Sequence, residues 1–527
     1  MIRIMFFVGL LFFSCSEQKN IDHLSIFKYN ESSGINSLDP AFSKDQASVW
    51  ATSQLFNGLV QLDSNLNVIP SIAHSWSISD DLLIYKFNLR NDVFFHNIDK
   101  SSNKKGRRVT ADDFEYSLNR LLDNNIASPG RWVLSNVKSF SAINDSLFSI
   151  SLNKPFSGFL GLLSMQYCSV VPKEFVESLD FHSQPIGTGP FKFQLWEKGE
   201  KLIFRKNYNY FESLNNQRLP FLDGVSISFL RDKQAAFLQF IMGRLDFISG
   251  LDASYKDQVL TKDGKLKSNY QKKINLHIEN YLNTEYLGFY SKDSLSPLRF
   301  LEIRQAINYG FNRKKMLKYL RNNIGSPAVN GFIPKGMPSF NDSLTGFSFN
   351  PKLAQKLISK AVELNKGPLD PIVLSTTSSY LDLCEYIQNE LSNIGLNIEI
   401  NVNPPSIHRQ MVATSKLSFF RGSWIADYPD AENYLSLFYS KNHSPLGPNY
   451  THFENEEYDD LYVKSLLESD DSLRFLYYNK MDKIIIENAQ IVPLYYDNVL
   501  RFTQTNVKGF SNNAINMLNL KRVNKVL

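Results

Sequence analysis

Cysteine is scarce in this sequence, with three residues in a chain of 527. So small a number excludes a fold held together by many disulfides and leaves stability to the hydrophobic cores. A large charge imbalance is also missing, because 57 lysines and arginines stand against 52 aspartates and glutamates. Composition therefore gives no reason to expect a nucleic-acid partner. What is present, 43% hydrophobic and 13% aromatic residues over a length of several domains, is typical of a folded globular protein.

Motifs for catalysis and for metal binding are missing as well. None of the eight histidines pairs with another at helical spacing beside a third ligand, and no Gly-x-Ser-x-Gly elbow occurs. Residues Gly187–Gly189 read Gly-Thr-Gly, but Pro190 follows them and no lysine completes a phosphate-binding loop. These glycines predict a sharp turn instead. The sequence thus predicts a protein that is not an enzyme and that has no metal and no cofactor.

Long hydrophobic runs are absent apart from Ile4–Phe13. This run is too short to span a membrane, which takes about 20 residues. Arg3 precedes it, and Cys15 with a polar tail follows it, an order that resembles a bacterial lipoprotein signal. Phe12 departs from that pattern, since a smaller aliphatic residue is usual there. The resemblance implies that Cys15 is acylated and tethers the protein to a membrane, and the alternative is a plain signal peptide cleaved nearby.

The two remaining cysteines, Cys168 and Cys384, both lie in mixed apolar surroundings. An exported protein could bridge them by a disulfide. Free buried cysteines are common in such surroundings, so we predict two unpaired thiols.

Local patterns predict alternating strands and helices. Leu82–Arg90 alternates apolar and polar residues, as a half-buried strand does, and similar runs follow. Thr110 with Asp113 three residues later predicts the start of a helix. Residues 351–363 form an amphipathic pattern that begins with proline, and residues 380–395 continue it up to a glycine and a following strand. This helix–strand unit is typical of an α/β lobe.

The segment Phe419–Leu435 concentrates charged and aromatic side chains around a proline. Its first part has strand character, and Tyr-Pro-Asp then turns the chain into a helix. Arg421, Trp424 and Asp427 thus lie at the end of a strand, where α/β lobes present ligand-contacting groups. Two interpretations remain open: an internal Arg421–Asp427 ion pair, or an Asp427 carboxylate that waits for a ligand amine beside the Trp424 ring.

Several longer stretches, taken in order, resemble the family 5 extracellular solute-binding proteins, the oligopeptide- and dipeptide-binding components of ABC importers. The resemblance runs from about Ser32 to the C-terminus. The stretches that carry it are SLDPAF with LFNGLV, PSIAHSW, YKFNLRNDVFFHN with VTADDFEYSLNRLLD, PIGTGPFKFQLWEKGEKLIFRKNYNYF, RQAINYGFNRKKML and ADYPDAENYL. Each stretch alone is moderately specific, and their common order makes the resemblance strong.

The resemblance implies an α/β fold: a two-lobed clamp of the type II periplasmic-binding-protein class with an additional third domain. The implied division assigns residues 1–20 to the signal peptide and tether, 58–184 to the extra domain II and 281–497 to lobe III. Lobe I is implied to consist of three parts, 21–57, 185–280 and 498–527.

The resemblance also implies the ligand-binding residues. In peptide-binding members of the family, the aspartate that matches Asp427 pairs with the α-amino group of the peptide, and the residues that match Arg421 and Trp424 line the cleft. A backbone segment hydrogen-bonds the ligand as an added strand, which tolerates many side chains. Its matching residues here are Ser32, Ser33 and Gly34.

The function implied is that of a lipid-anchored, monomeric receptor at the extracytoplasmic or periplasmic face, which delivers oligopeptides to the permease subunits of an ABC transporter. Dipeptide-selective relatives carry an arginine just before the helix that matches residues 381–391, and the stretch LSTTSSYLD has none, which favours longer peptides. The alternatives are another solute, such as a metal chelate, a sugar or an opine, and a sensory or interaction lipoprotein that imports nothing.

Overall fold

The computed structural model of the protein describes residues 24–250, 253–290 and 292–526. The predicted signal peptide and the predicted lipidation site Cys15 lie outside these residues. Among the helices that are described, none combines the length and the apolar character that a membrane crossing requires.

Short strands and helices alternate along most of the chain. The strands are β1 Ile26–Asn30, β2 Val60–Leu62, β3 Val68–Pro70, β4 Ala73–Ile78, β5 Ile84–Leu89, β6 Val137–Asn144, β7 Leu147–Leu152, β8 Phe191–Glu197, β9 Lys201–Lys206, β10 Ser213–Leu214, β11 Gln217–Arg218, β12 Gly224–Ser228, β13 Phe247–Ser249, β14 Ile274–Phe289, β15 Ser326–Pro327, β16 Ile372–Thr376, β17 Ile398–Val402, β18 Phe419–Ile425, β19 Ile491–Gln504, β20 Val507–Lys508 and β21 Asn524–Lys525. The helices are α1 Gln46–Leu55, α2 Ala111–Leu122, α3 Phe159–Leu163, α4 Lys173–Val176, α5 Lys233–Ile241, α6 Ala253–Val259, α7 Leu301–Tyr309, α8 Arg313–Leu320, α9 Pro351–Asn365, α10 Leu381–Ser392, α11 Pro405–Ala413, α12 Glu432–Leu435, α13 Glu456–Leu467 and α14 Asp471–Glu487.

One mixed sheet extends through both lobes. Its strand order is β17-β16-β18-β14-β19-β13-β1-β12-β9-β8, with β15 also paired to β19. The two long strands β14 and β19 lie at its centre and pair along most of their length. The register between them shifts in the stretch from Asn280 to Thr284. Strands β16 and β18 lie on one side of this central pair, and β1, β12, β9 and β8 lie on the other.

A separate antiparallel sheet of four strands, in the order β4-β5-β7-β6, forms the extra domain. Strand β5 buries Tyr85, Phe87 and Leu89 in strict alternation, as the sequence predicts. Helix α2 begins with a capping box formed by Thr110 and Asp113, which confirms the predicted helix start. The buried hydrophobic residues of this domain and of lobe I form one continuous core.

The domain boundaries of the sequence analysis stay a prediction. The boundary at 280/281 falls inside β14, and the boundary at 497/498 falls inside β19. In the predicted division, both strands therefore run from one lobe into the other, and each lobe receives about half of each strand.

The Gly-Thr-Gly segment is constrained by close packing rather than by the predicted sharp turn. Gly187 and Gly189 do not belong to the glycines with positive φ. A Cβ atom on Gly187 would lie 2.0 Å from the Leu55 carbonyl oxygen, and one on Gly189 would lie 2.4 Å from the Leu55 carbonyl carbon. The two glycines are therefore required because α1 ends directly against them.

The prediction of two unpaired thiols is confirmed. Cys168 and Cys384 are both free and buried, Cys168 in the core that the extra domain shares with lobe I and Cys384 in the core of lobe III. Burial raises the pKa of the Cys168 thiol to about 12 and that of the Cys384 thiol to about 11.

Candidate ligand-binding site

A cavity of about 650 Å³ lies where the two lobes and the extra domain meet. In the predicted division, lobe I contributes residues of α1 and of the segment 511–522, the extra domain contributes residues of the segments 58–71 and 164–169, and lobe III contributes Ala426–Pro429. Many side chains of its wall are amides and hydroxyls, among them Ser53, Gln54, Asn57, Gln166, Asn512 and Asn513. Such a wall offers both donors and acceptors, and the size is typical of small-molecule sites.

Lobe III reaches the cavity through the segment that follows β18. Strand β18 pairs with β14 up to Ile425 and then leaves the sheet. Asp430 accepts a hydrogen bond of 2.9 Å from the backbone N–H of Glu432 and so supports the first turn of α12. The Tyr478 hydroxyl, at 2.6 Å, and Arg474, at 3.3 Å, hold the same carboxylate from α14. The segment between β18 and α12 is therefore held by side chains of α14 and also lines the cavity.

Asp427 belongs to this segment and lines the cavity. Its carboxylate Oδ2 accepts one hydrogen bond of 3.3 Å from Nδ2 of Asn433. Within the described residues, the ion pairs include none for Asp427. The pKa of the Asp427 carboxyl is raised, because partial desolvation by the surrounding protein outweighs the Asn433 hydrogen bond. The geometry thus leaves a carboxylate with an open side towards the cavity.

Arg421 does not pair with Asp427, so the internal ion pair that the sequence left open is wrong. The Arg421 guanidinium binds the carboxylate of Glu285 on the neighbouring strand β14. It also stacks on the Tyr380 ring, with 3.2 Å between the guanidinium carbon and the ring centroid. Arg421 is not part of the cavity wall.

Trp424 is joined to Asp427 through Asn433. The indole Nε1 donates a hydrogen bond of 2.9 Å to Oδ1 of Asn433, and the backbone N–H of Asp427 donates to the same oxygen at 3.2 Å. Asn433 thus orients both predicted site residues. Sequence reasoning missed it, although it lies in the same short segment, because an asparagine at a helix start is usually a simple capping group.

Ser32, Ser33 and Gly34 form a turn after β1 and are not among the residues that line the cavity. The Ser33 hydroxyl donates to the Glu31 carboxylate at 2.5 Å, and Gly34 has a φ of +74°. The structure therefore brings Trp424 and Asp427 together but leaves this segment apart from them. Its contact with a ligand stays a prediction.

Metal binding has no candidate site in the described part of the chain, where no three histidine, cysteine, aspartate or glutamate side chains are placed to hold an ion.

Comparison with known proteins finds relatives that match most of the chain. The profile of the bacterial extracellular solute-binding proteins, family 5, matches residues 67–445. The dipeptide-binding protein DppE of Bacillus subtilis is 25% identical over 524 residues, which cover 93% of this chain and 90% of the relative. The heme-binding protein A of Haemophilus influenzae is 26% identical over 499 residues, covering 90% and 87%.

A solved structure gives the same result for the fold. The ABC transporter-associated periplasmic binding protein DppA of Helicobacter pylori, in complex with the peptide STSA, superimposes with a TM-score of 0.74. The identity is 25%, and the match covers 95% of this chain and 98% of that chain. The predicted α/β fold with two lobes and an additional domain is therefore confirmed.

Proposed function

Because the chain belongs to the family 5 bacterial extracellular solute-binding proteins, we propose that it captures peptides between its lobes and delivers them to the permease of an ABC transporter. In this proposal the protein acts as a monomer outside the cytoplasm, is tethered by lipid on Cys15, and catalyses nothing. The predicted division into lobe I, domain II and lobe III is part of the same proposal.

The observation that carries the proposal is the Asp427 carboxylate, which faces the cavity with a neutral amide as its hydrogen-bond partner. A cationic amine is the natural complement of such a group, and a charge-assisted hydrogen bond is stronger than a neutral one. The N-terminus of a peptide supplies this amine, and the amides and hydroxyls of the cavity wall suit peptide groups.

Closure of the lobes completes the site in this proposal. Trp424 and Arg421, neither of which lines the cavity of this structure, would reach the ligand from lobe III on closure. The backbone of Ser32, Ser33 and Gly34 would approach from lobe I and pair with the ligand as an added strand. The central strands β14 and β19 connect the lobes and would bend as they close.

Calorimetry with a peptide mixture, followed by one chosen peptide and its N-acetylated form, tests the proposal. We expect acetylation and Asp427→Asn each to weaken binding by about 1.5–3 kcal/mol, because either change removes one charged partner. Asp63→Asn is the matched control. Asp63 also lines the cavity, but its carboxylate already accepts hydrogen bonds from the turn residues Asn65 and Asn67. Equal affinities for the free and acetylated peptides would exclude Asp427 as the amine-binding group.

A second candidate ligand class is a non-peptide solute, which the similarity to the heme-binding protein A supports at almost the same identity. Mass spectrometry of the ligand that co-purifies with the protein distinguishes the two classes. A peptide series supports the first, and a single non-peptide compound supports the second.

A further inference from the structure

One side chain of lobe III lies in the core that the extra domain shares with lobe I. This side chain is Tyr428, which directly follows Asp427 and is 6% exposed. In the predicted division, and among the residues that the structure describes, it is the only buried member of that core from lobe III. The segment that carries the proposed amine-binding group is therefore packed against a domain other than its own.

The contact is made with α3 of the extra domain and with the loop before it. The Tyr428 ring meets the Phe156 ring edge to face, with 6.1 Å between the ring centroids and 89° between the ring planes. A Cβ atom on Gly161 of α3 would lie 3.7 Å from Tyr428 Cβ and 3.6 Å from Pro429 Cδ. These are van der Waals distances, so Tyr428 and Pro429 lie directly on the α3 backbone. Phe156 and Gly161 together form a seat for the segment.

The hydroxyl end of Tyr428 is held inside lobe III. It donates a hydrogen bond to one carboxylate oxygen of Glu432 in α12, and the Tyr462 hydroxyl of α13 donates to the other oxygen. Glu432 is 7% exposed, so these bonds satisfy a carboxylate that has little access to water. Because the hydroxyl is fixed in lobe III while the ring packs on the extra domain, Tyr428 connects the two.

The backbone of Asp427 is held on both sides. Its N–H donates a hydrogen bond of 3.2 Å to Asn433, and its carbonyl end continues directly into Tyr428. The carboxylate also lies close enough to the extra domain for its charge to act on Tyr167, which lines the same cavity. Burial raises the pKa of Tyr167 to about 12, and the negative charge of Asp427 adds to this rise. A movement of the segment relative to the extra domain would therefore change where the carboxylate faces the cavity.

From these contacts we propose that the extra domain takes part in ligand recognition, because its seat positions the Asp427 carboxylate for the amine of the ligand. This inference rests on the proposed peptide-binding function and gives the extra domain a role in it. Phe156 and Gly161 are positioning residues, since neither lines the cavity and both act through Asp427. Charge-assisted hydrogen bonds are short, about 2.7–2.9 Å, so loss of the seat should weaken the amine contact more than the other contacts of the ligand.

Calorimetry with one peptide in its free-amine and N-acetylated forms tests the inference. The measured quantity is the ratio of the two affinities, which for the unaltered protein should be at least about tenfold in favour of the free amine. Phe156→Ala removes the ring from the seat and should lower this ratio by at least about fivefold, whereas Phe156→Leu keeps apolar volume and should retain most of it. Phe140→Ala is the matched control. It removes a half-buried phenylalanine that packs on Phe148 in the same domain, and it should leave the ratio unchanged.

A second pair of variants tests the seat from α3, and it decides the question if Phe156→Ala does not fold. Gly161→Leu places a large side chain against Tyr428 and Pro429 and should displace the segment, so the ratio should again fall by at least about fivefold. Gly161→Ala adds only a Cβ atom at ordinary contact distance, so it should leave the ratio unchanged.

An unchanged ratio in both Phe156→Ala and Gly161→Leu would overturn the inference, because the contact would then serve stability alone. Failure of the proposed function has a different signature, namely that neither form of the peptide binds or that the unaltered protein does not distinguish them. In that case the seat is measured without ligand, by urea unfolding of Phe156→Ala, Tyr428→Leu and the double variant. Coupled effects would support the seat, and additive effects would refute it.

Discussion

The amide of Asn433 donates a hydrogen bond of 3.3 Å to the Asp427 carboxylate, while its oxygen accepts one of 2.9 Å from the Trp424 indole. One neutral side chain therefore sets the position of both the proposed amine-binding group and the ring beside it. Because an amide brings no charge of its own, the negative charge of Asp427 stays available to a ligand.

Removal of this amide should weaken ligand binding without abolishing it. Asn433→Ala deletes the hydrogen bonds to Asp427 and Trp424 but keeps the carboxylate charge. We therefore expect a loss of about 0.5–1.5 kcal/mol, smaller than the loss for Asp427→Asn. Calorimetry with the free-amine peptide measures both variants. An Asn433→Ala loss as large as that of Asp427→Asn would mean that positioning, and not charge, is the main contribution of this segment.

As the pH is lowered, ligand affinity should begin to decrease at a higher pH than it would if Asp427 had the pKa of an ordinary aspartate. The pKa of Asp427 is raised by desolvation, and only its ionised form attracts an amine. As pH falls through this raised pKa, protons compete with the ligand, so affinity decreases while the peptide amine stays charged. Titrations between pH 7.5 and pH 4 should show this decrease, and Asp427→Asn should have nearly constant affinity. A constant affinity of the unaltered protein over this range would contradict the assignment.

The stability of the fold should depend on pH through His96, which joins the extra domain to the Gly-Thr-Gly segment. Its Nε2 lies 3.0 Å from the Gly189 carbonyl oxygen, and its Nδ1 accepts from the Gly187 N–H at 3.3 Å. These contacts need a neutral ring, and burial lowers the pKa of His96 from 6.5 to about 4.

The unfolded chain therefore takes up a proton below about pH 6.5, whereas the folded chain does so only near pH 4. The contribution of His96 is complete above pH 6.5 and is lost towards pH 4, by about 3 kcal/mol in total. Urea unfolding should show that the stability difference between the unaltered protein and His96→Gln shrinks over this range. His74→Gln, at an exposed histidine, is the control variant. A stability difference between the unaltered protein and His96→Gln that stays constant with pH would refute the role of a neutral His96 ring.

A buried ion pair should hold the extra domain to lobe I. Arg120 of α2 makes two hydrogen bonds, of 2.5 and 3.1 Å, to the Asp39 carboxylate, and both side chains are almost fully buried. Arg120→Met leaves Asp39 charged and unpaired, so we expect a loss of about 3–5 kcal/mol in the free energy of unfolding.

Adding Asp39→Asn to the Arg120→Met variant should recover part of that loss, because it removes the isolated charge. Arg90→Met is the matched control, since Arg90 and Asp92 form an exposed pair worth at most about 1 kcal/mol. Urea unfolding measures all four proteins. Similar losses in the free energy of unfolding for Arg120→Met and Arg90→Met would show that the buried pair contributes no more than the exposed pair.

Local features of this fold could be predicted from the sequence because neighbouring residues determine them. The alternation in β5, the capping box at Thr110 and Asp113, and the helix that begins at Pro351 all depend on contacts within a few residues. The position of Asp427 beside a cleft also followed from a local strand–turn–helix pattern.

The remaining features depend on residues far apart in the chain, which no local pattern encodes. Glu285 and Arg421 are 136 residues apart, so the pairing that excludes an Arg421–Asp427 ion pair, one of the two interpretations left open, was not visible in the sequence. The cavity likewise combines the α1 region with the segment 511–522, at opposite ends of the chain. The two glycines at 187 and 189 were identified, but the reason for them, the end of α1, became visible only in three dimensions.

The position of β19 at the centre of the shared sheet has a consequence for biosynthesis. Residues 491–504 are made after every other strand of that sheet, yet β13, β14 and β15 all depend on them for pairing. A nascent chain therefore carries two incomplete half-sheets until translation is nearly finished. The shared sheet of such a chain stays incomplete for most of its synthesis, because one of its two central strands is the last to be made.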